Sequence, residues 1–283
     1  MLRTMAALIA AVTVMGGCGG EPAGGGPAAP PAAPPSAAEL VADAQQALGD
    51  AGTGHFDHAL LALVGDGSEK VVWQSVAGDY DLPRRVYSGE LRLANSDLQV
   101  PGWRYIISVV ATAEASYRAW VVPRNDRGPR WHRSRTTPDQ EWSEPGTAPP
   151  AAAVLAFRPD GTEPDDDGDT WIVSGTLPVP VALELVGAMA AEVTYASDVR
   201  ALHAATGTAV ARLVVGVDRK VRELLVAGVD IDATSALPDA TLKDLPRQSA
   251  RTTFSAYAKQ VTVLVPPADE ITDEPLSFGA PGS

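Results

Sequence analysis

The chain has 283 residues, a formal net charge of −13, and 45 % hydrophobic against 20 % charged residues. That balance describes a globular protein with an ordinary core and excludes a disordered one. The acidic surplus argues against nucleic acid as a partner, because its phosphates would be repelled.

In chain order, Met1–Gly20 comes first. Arg3 supplies a positive start, and Met5–Met15 is an apolar run too short to span a bilayer. It closes on Met15-Gly16-Gly17 and then on Cys18, the only cysteine of the chain. This resembles a bacterial lipobox, with Met15 where the consensus prefers Leu. Cleavage before a diacylglyceryl-modified Cys18 is the implied processing. The other reading is a plain secretory signal whose cysteine is incidental; the sole Cys falling at the end of the apolar run favours the lipobox. The expected organisation is a signal peptide 1–17, a lipidated Cys18 opening a Pro/Gly/Ala tether 18–35, one domain 36–273 and a tail 274–283. A lipidated thiol leaves no disulfide to stabilise the fold. No later apolar run is long enough for a membrane helix.

Ser36-Ala37-Ala38-Glu39 has the form of a capping box, and Leu40, Val41, Ala44 and Leu48 follow at helical spacing up to Gly49. From His55 the period becomes two. Strands are predicted at Phe56–Val64, Val71–Ala77, Arg85–Leu93, Trp103–Ala111, Tyr117–Val122 and Arg130–Ser134. Tyr87, Leu91 and Leu93 share one face of their strand; Trp103, Tyr105, Ile107 and Val109 share one face of theirs. Thr137–Thr147 has no period, Ala151–Phe157 reads as a short helix, and Trp171–Leu177 returns to strand. Val181–Val193 and Ser197–Thr206 read as helices. Ala209–Val215 with Val221–Val229, and Ala250–Tyr257 with Val261–Val265, read as hairpins. The expected class is α+β: an extended antiparallel sheet whose few helices lie on one face.

A catalytic constellation is not expected. His55, His58, His132 and His203 are scattered, and His55 and His58 stand at an odd separation, on opposite faces of a strand. Asp165-Asp166-Asp167-Gly168-Asp169 lacks the ligand spacing of a calcium loop and reads as a solvated turn. Arg124, Arg127, Arg130, Arg133 and Arg135 cluster at one hairpin and suit either an anionic headgroup or a simple exposed turn. The tryptophans read as core. No cofactor and no metal are expected.

The capped helix after a lipoprotein tether, Gly78-Asp79-Tyr80-Asp81-Leu82, and Phe254-Ser255-Ala256-Tyr257-Ala258-Lys259-Gln260-Val261-Thr262-Val263 followed by Pro266-Pro267-Ala268-Asp269 resemble actinobacterial lipoproteins of the LprG/LppX type. The family pattern usually has Gly where Ala258 stands. An Arg-, Ala-, Gly- and Pro-rich, Lys-poor composition fits such a source. The resemblance implies a LolA-like fold: a curved, incomplete antiparallel barrel with helices on its concave face and an apolar cavity between. It implies a non-enzymatic role in which an acylated lipid, glycolipid or lipopeptide is bound and carried, on the extracytoplasmic side of the cell membrane. Under that reading Leu60, Tyr87, Leu91, Tyr105, Ile107, Tyr117, Val121 and Val173 line the cavity. The alternative is an RseB-like sensor or scaffold, with a filled core and an envelope protein as partner.

The anchor has a direct test. Cys18→Ala is expected to move the protein from the membrane pellet to the aqueous phase on detergent partitioning; retention in the pellet would count against lipidation.

Overall fold

The structure, a computed structural model, describes residues 34–64, 69–94, 103–112, 115–121, 131–135, 150–186, 206–229 and 248–274. The chain divides into two compact units, Met1–Pro34 and Pro35–Ser283, and the elements below belong to the second. The signal peptide, Cys18, Thr137–Thr147 and all but the last residue of the predicted helix Ser197–Thr206 lie outside the described residues.

Helix α1, Ala37–Ala51, starts as its sequence predicts. The Ser36 hydroxyl accepts the Glu39 N–H, and the Ser36 N–H donates to the Glu39 carboxylate at 2.9 Å, so two otherwise orphaned donors are satisfied. It ends later than Gly49. Gly52 takes the left-handed cap at φ 66° and donates its N–H to the Leu48 carbonyl, a conformation that costs glycine nothing. Leu40, Val41, Ala44 and Leu48 form the buried stripe.

The strands are β1 (Thr53–Val64), β2 (Glu69–Asp81), β3 (Val86–Ala94), β4 (Trp103–Ala111), β5 (Ala115–Trp120), β6 (Trp131–Arg135), β7 (Arg158–Pro159), β8 (Asp165–Asp166), β9 (Thr170–Pro178), β10 (Thr208–Gly216), β11 (Val221–Val229), β12 (Gln248–Ser255) and β13 (Ile271–Thr272). Helix α2 is Ala151–Ala156 and α3 is Val179–Val186. All thirteen strands join one large, open, curved sheet in the order β13-β6-β5-β4-β3-β2-β1-β12-β11-β10-β9-β7, with β8 pairing β9 off this path. Every pairing is antiparallel except β13 with β6. The meander β1 to β6 and the meander β9 to β11 are separate in sequence. Strand β12 inserts between them, setting Phe254 opposite Phe56, Thr252 opposite His58 and Ala250 opposite Leu60.

This insertion corrects one expectation. Val261–Val265 does not return as the partner of a final hairpin. Both edges of β12 are already taken, by β1 and β11, so no ladder is open to a following strand. Instead residues 256–270 leave the sheet plane and cross to the far edge, where Ile271 and Thr272 pair with Trp131 and His132. Pro266 and Pro267, which have no N–H to give a ladder, lie within that crossing.

Directly opposed residues of an antiparallel ladder point to the same face. Following the registers, one face carries Val173 on β9, Leu213 on β10, Leu224 on β11, Thr252 on β12 and His58 on β1. It continues through Val76 and Tyr80 on β2, Tyr87 and Leu91 on β3, and Ile107 and Val109 on β4. Helices α1, α2 and α3 pack on this face, principally over β7 and β9 to β12, and share one core with it. The opposite face carries Asp57, Asp79, Ser88, Glu90 and Arg251.

His58 fastens α3 to the sheet. It is buried, its Nε2–H donates to the Leu185 carbonyl at 3.0 Å, and its Nδ1 accepts from the Thr252 hydroxyl at 2.7 Å. Those roles require the neutral ring, and burial lowers its pKa to about 4, against a backbone acceptor at Leu185 that raises it. Because the folded pKa is depressed, the unfolded state binds more protons between about pH 6.5 and pH 4. Stability is therefore full above 6.5 and falls with pH across that window, by at most about 3 kcal/mol. Urea unfolding measured from pH 7.5 to pH 4 should show this slope. His58→Gln, which keeps a donor for Leu185, should flatten it; an unchanged slope would place its origin elsewhere.

Candidate functional site

The eight residues expected to line a cavity separate by face. Leu60, Tyr87, Leu91, Ile107 and Val173 are buried on the helix-bearing face, and Tyr105 joins them, half-buried. Tyr117 does not: it stands opposite Val110, on the other face, where Val86, Ala115 and Val263 surround it. Val121 lies just past β5, is 41 % exposed, and follows Trp120, which stands opposite Ile107, so alternation turns it away from that face as well. The physical reason is register. The tight turn in which the Thr112 N–H donates to the Ala115 carbonyl fixes Tyr117 against Val110, one step away from Ile107 and Val109.

On the helix-bearing face the cover is uneven. Under the helices, Leu40, Leu48, Phe157, Leu177 and Leu213 are fully buried. Gln45 of α1 reaches across and donates to the Val154 and Phe157 carbonyls at 2.9 and 3.0 Å, satisfying the end of α2. The principal contacts of α1 to α3 do not extend to β2 through β5. There the face is apolar and already buried, with Val76, Tyr80, Leu91, Ile107 and Val109 at most 6 % exposed, and it is bordered by half-buried Leu93, Tyr105 and Trp120. The Tyr105 and Trp120 rings meet at 5.2 Å between centroids, a favourable tilted contact.

The opposite face holds a polar centre at β1 and β2. The His55 Nδ1–H donates to Asp79 at 2.7 Å, and the Lys259 ammonium, arriving from the crossing segment, donates to the other Asp79 oxygen at 2.7 Å. Partial burial raises the Asp79 carboxyl, but the hydrogen bonds from Lys259 and His55 outweigh it and hold the carboxyl below its ordinary range. An open cleft of about 440 Å³ lies beside them, lined also by Ser88, Ser108, Val110 and Trp131. Its floor includes Gly78 and Gly89, which stand opposite each other; a Cβ on Gly78 would come within 2.7 Å of the Gly89 Cα, so only glycine admits this approach of β2 and β3. Of the arginine cluster, Arg133 is committed: its guanidinium donates to both Asp273 oxygens, at 2.7 and 2.9 Å. Arg124, Arg127 and Arg130 lie outside the described residues. The acidic turn contains the two-residue β8, and the Asp166 carboxylate accepts the Gly168 N–H.

The two stretches that carried the resemblance meet here. Gly78 and Asp79 act as just described. Tyr80 is fully buried, the Asp81 carboxylate accepts the Arg84 N–H at 3.1 Å, and the Leu82 N–H donates to the Gly52 carbonyl at 2.7 Å. Lys259 reaches Asp79, while the Ala258 N–H donates to the Thr53 carbonyl. Their chemistry is architectural: they tie α1, β1, β2 and the crossing segment together.

No family model and no curated protein matches the sequence. Among solved structures, the chain is similar to a LolA superfamily protein from Nitrosomonas europaea, at 8 % identity over 81 % of this chain and 96 % of that one, with a TM-score of 0.26. It is also similar to a protein from Vibrio parahaemolyticus described as an outer membrane lipoprotein-sorting domain, at 9 % identity over 77 % and 91 %, with a TM-score of 0.28. Among the described residues, no helix is long and apolar enough to cross a membrane.

Ala256 and Ala258 adopt φ of 48° and 56°, the left-handed region that strains any residue with a Cβ. Ala258→Gly relieves about 1–2 kcal/mol of that strain and loses about 0.4–1 kcal/mol to the freer unfolded chain. The unfolding free energy read from urea titration should rise by roughly 0.5–1 kcal/mol, whereas Ala258→Val should lower it. A neutral or destabilising glycine would show that the turn is not strained.

Proposed function

We propose that the chain is an envelope lipoprotein that binds an acylated lipid, glycolipid or lipopeptide and carries or chaperones it, with Cys18 as its membrane anchor. The supporting observation is the apolar surface on β2 to β5, which the principal packing of α1 to α3 leaves to other cover. Each methylene of an acyl chain laid against such a surface gains about 0.8 kcal/mol, so a chain of ordinary length would be held by burial alone. Leu91, Ile107 and Val109, at most 6 % exposed, would meet the acyl chain once their present cover moves aside, and half-buried Leu93, Tyr105 and Trp120 would form the rim. The long Pro/Gly/Ala stretch after Cys18 suits a tether that lets the domain approach and leave the membrane.

A second reading, a scaffold with a filled core that binds an envelope protein, draws support from the tight packing under the helices, where Leu48, Phe157, Leu177 and Leu213 leave no exposed surface. Native mass spectrometry of the protein purified from its own host, with extraction of what co-purifies, distinguishes the two. The carrier reading expects an adduct of lipid mass that organic extraction removes and added lipid restores. A protein that is lipid-free apart from its anchor and takes up none would favour the scaffold.

A further inference from the structure

Gln74 is the exception on the apolar face. It lies on β2, it is 0 % exposed, and among the described residues neither its amide oxygen nor its amide nitrogen has a hydrogen-bond partner. It stands opposite Leu60 on β1 and Leu93 on β3, and Leu93 stands opposite Tyr105 on β4. The four side chains form one rung across four strands, with a primary amide flanked by Leu60 and Leu93 and the Tyr105 phenol at the far end. Leaving such an amide dry and unpaired is among the costlier arrangements a core can hold, and buried polar groups in folded proteins are almost always satisfied.

The rung is also where the ladders slip. The β1–β2 register shifts between Leu60 and Leu61, and the β3–β4 register shifts between Leu93 and Ala94, so both irregularities begin at members of this row. Bulges re-aim side chains, and they concentrate at barrel rims and beside binding sites. Here they leave Gln74 at the end of the apolar surface, two strands from the half-buried Tyr105 and its ring partner Trp120.

We infer that Gln74 is the hydrogen-bonding anchor of the ligand, pairing with the neutral polar linkage of an acylated molecule. This rests on the carrier reading above. A primary amide offers both an acceptor and donors, and the residues across from it carry no charge. Its complement is therefore a group with a carbonyl and an adjacent hydroxyl or N–H, such as a glyceryl ester or an N-acyl amide. With the linkage held at Gln74, the acyl chain runs down the face over Val76, Leu91 and Ile107, and the headgroup emerges past Leu93 and Tyr105.

The test uses the full chain with Cys18→Ala, unchanged elsewhere or carrying Gln74→Leu or Gln74→Met, and 1-oleoylglycerol as the probe. Two quantities are read: the urea midpoint without lipid, and the dissociation constant for the probe. Replacing the unpaired amide by an apolar side chain should raise the lipid-free midpoint and weaken 1-oleoylglycerol binding about tenfold, the scale of one lost hydrogen bond. A lowered midpoint in both variants would mean that the amide is satisfied by the fold and would overturn the assignment. Equal affinity in parent and variants would overturn it too, while leaving the carrier reading intact. Failure of the parent to bind the probe would remove the carrier reading and this inference with it.

Discussion

The pairing of β12 with β1 is the constraint on which the rest depends. Two meanders far apart in sequence become one sheet only because Gln248–Ser255 fits between β1 and β11 in a fixed register. That register puts Thr252 beside His58, and His58 then holds the end of α3 through the Leu185 carbonyl. It also sets Ala250 beside Leu60 and so fixes which side of β1 joins the core. A slip of one residue would exchange the two faces of the strand and bring Arg251 toward the apolar side. Strand order, helix docking and the identity of the helix-bearing face all follow from this ladder.

The two faces do different work. One is apolar, and α1 to α3 pack over only part of it. The other is polar and crossed by the segment after β12, whose Val261, Val263 and Ile271 cover Val86, Val110 and Tyr117. Lys259 and Asp79 tie that segment to β2, and Arg133 and Asp273 close its far end. These pairs are partly exposed, so their direct contribution to stability is small. Their worth lies in placement: they hold an irregular segment over a hydrophobic patch that would otherwise be wet.

Much of the fold was legible in the sequence, and the failures share a cause. Alternation alone assigns the faces of Tyr87, Leu91, Tyr105 and Ile107, because a strand's period is local. The capping box at Ser36 is local as well. The insertion of β12 is not, since nothing near Phe254 announces a partner at Phe56. The same holds for Tyr117, whose face depends on a turn that sets the hairpin register, and for Val261–Val265, which has strand composition but no free edge to pair with. Gln74 carries a readable signal: it shares parity with Val76 and Tyr80, so an amide stands among core positions of a strand. The Gly78–Leu82 stretch resembles a family motif, and its residues serve as joints of the architecture.

The placement of β12 also bears on the order in which the protein can be completed. His58 and Thr252 are separated by 194 positions, so as the chain emerges from its N-terminus β1 gains β2 at once but waits for nearly the whole remaining sequence before its second edge is filled. Throughout that interval an apolar strand presents unpaired N–H and C=O groups, the arrangement that invites another chain to add itself. Closing so long a loop is slow on entropic grounds. The finished molecule carries the opposite protection, since among the described residues its sheet ends on β7 and β13, each of two residues. The same sheet is therefore most vulnerable to association at its centre while incomplete, and best guarded at its rims once whole.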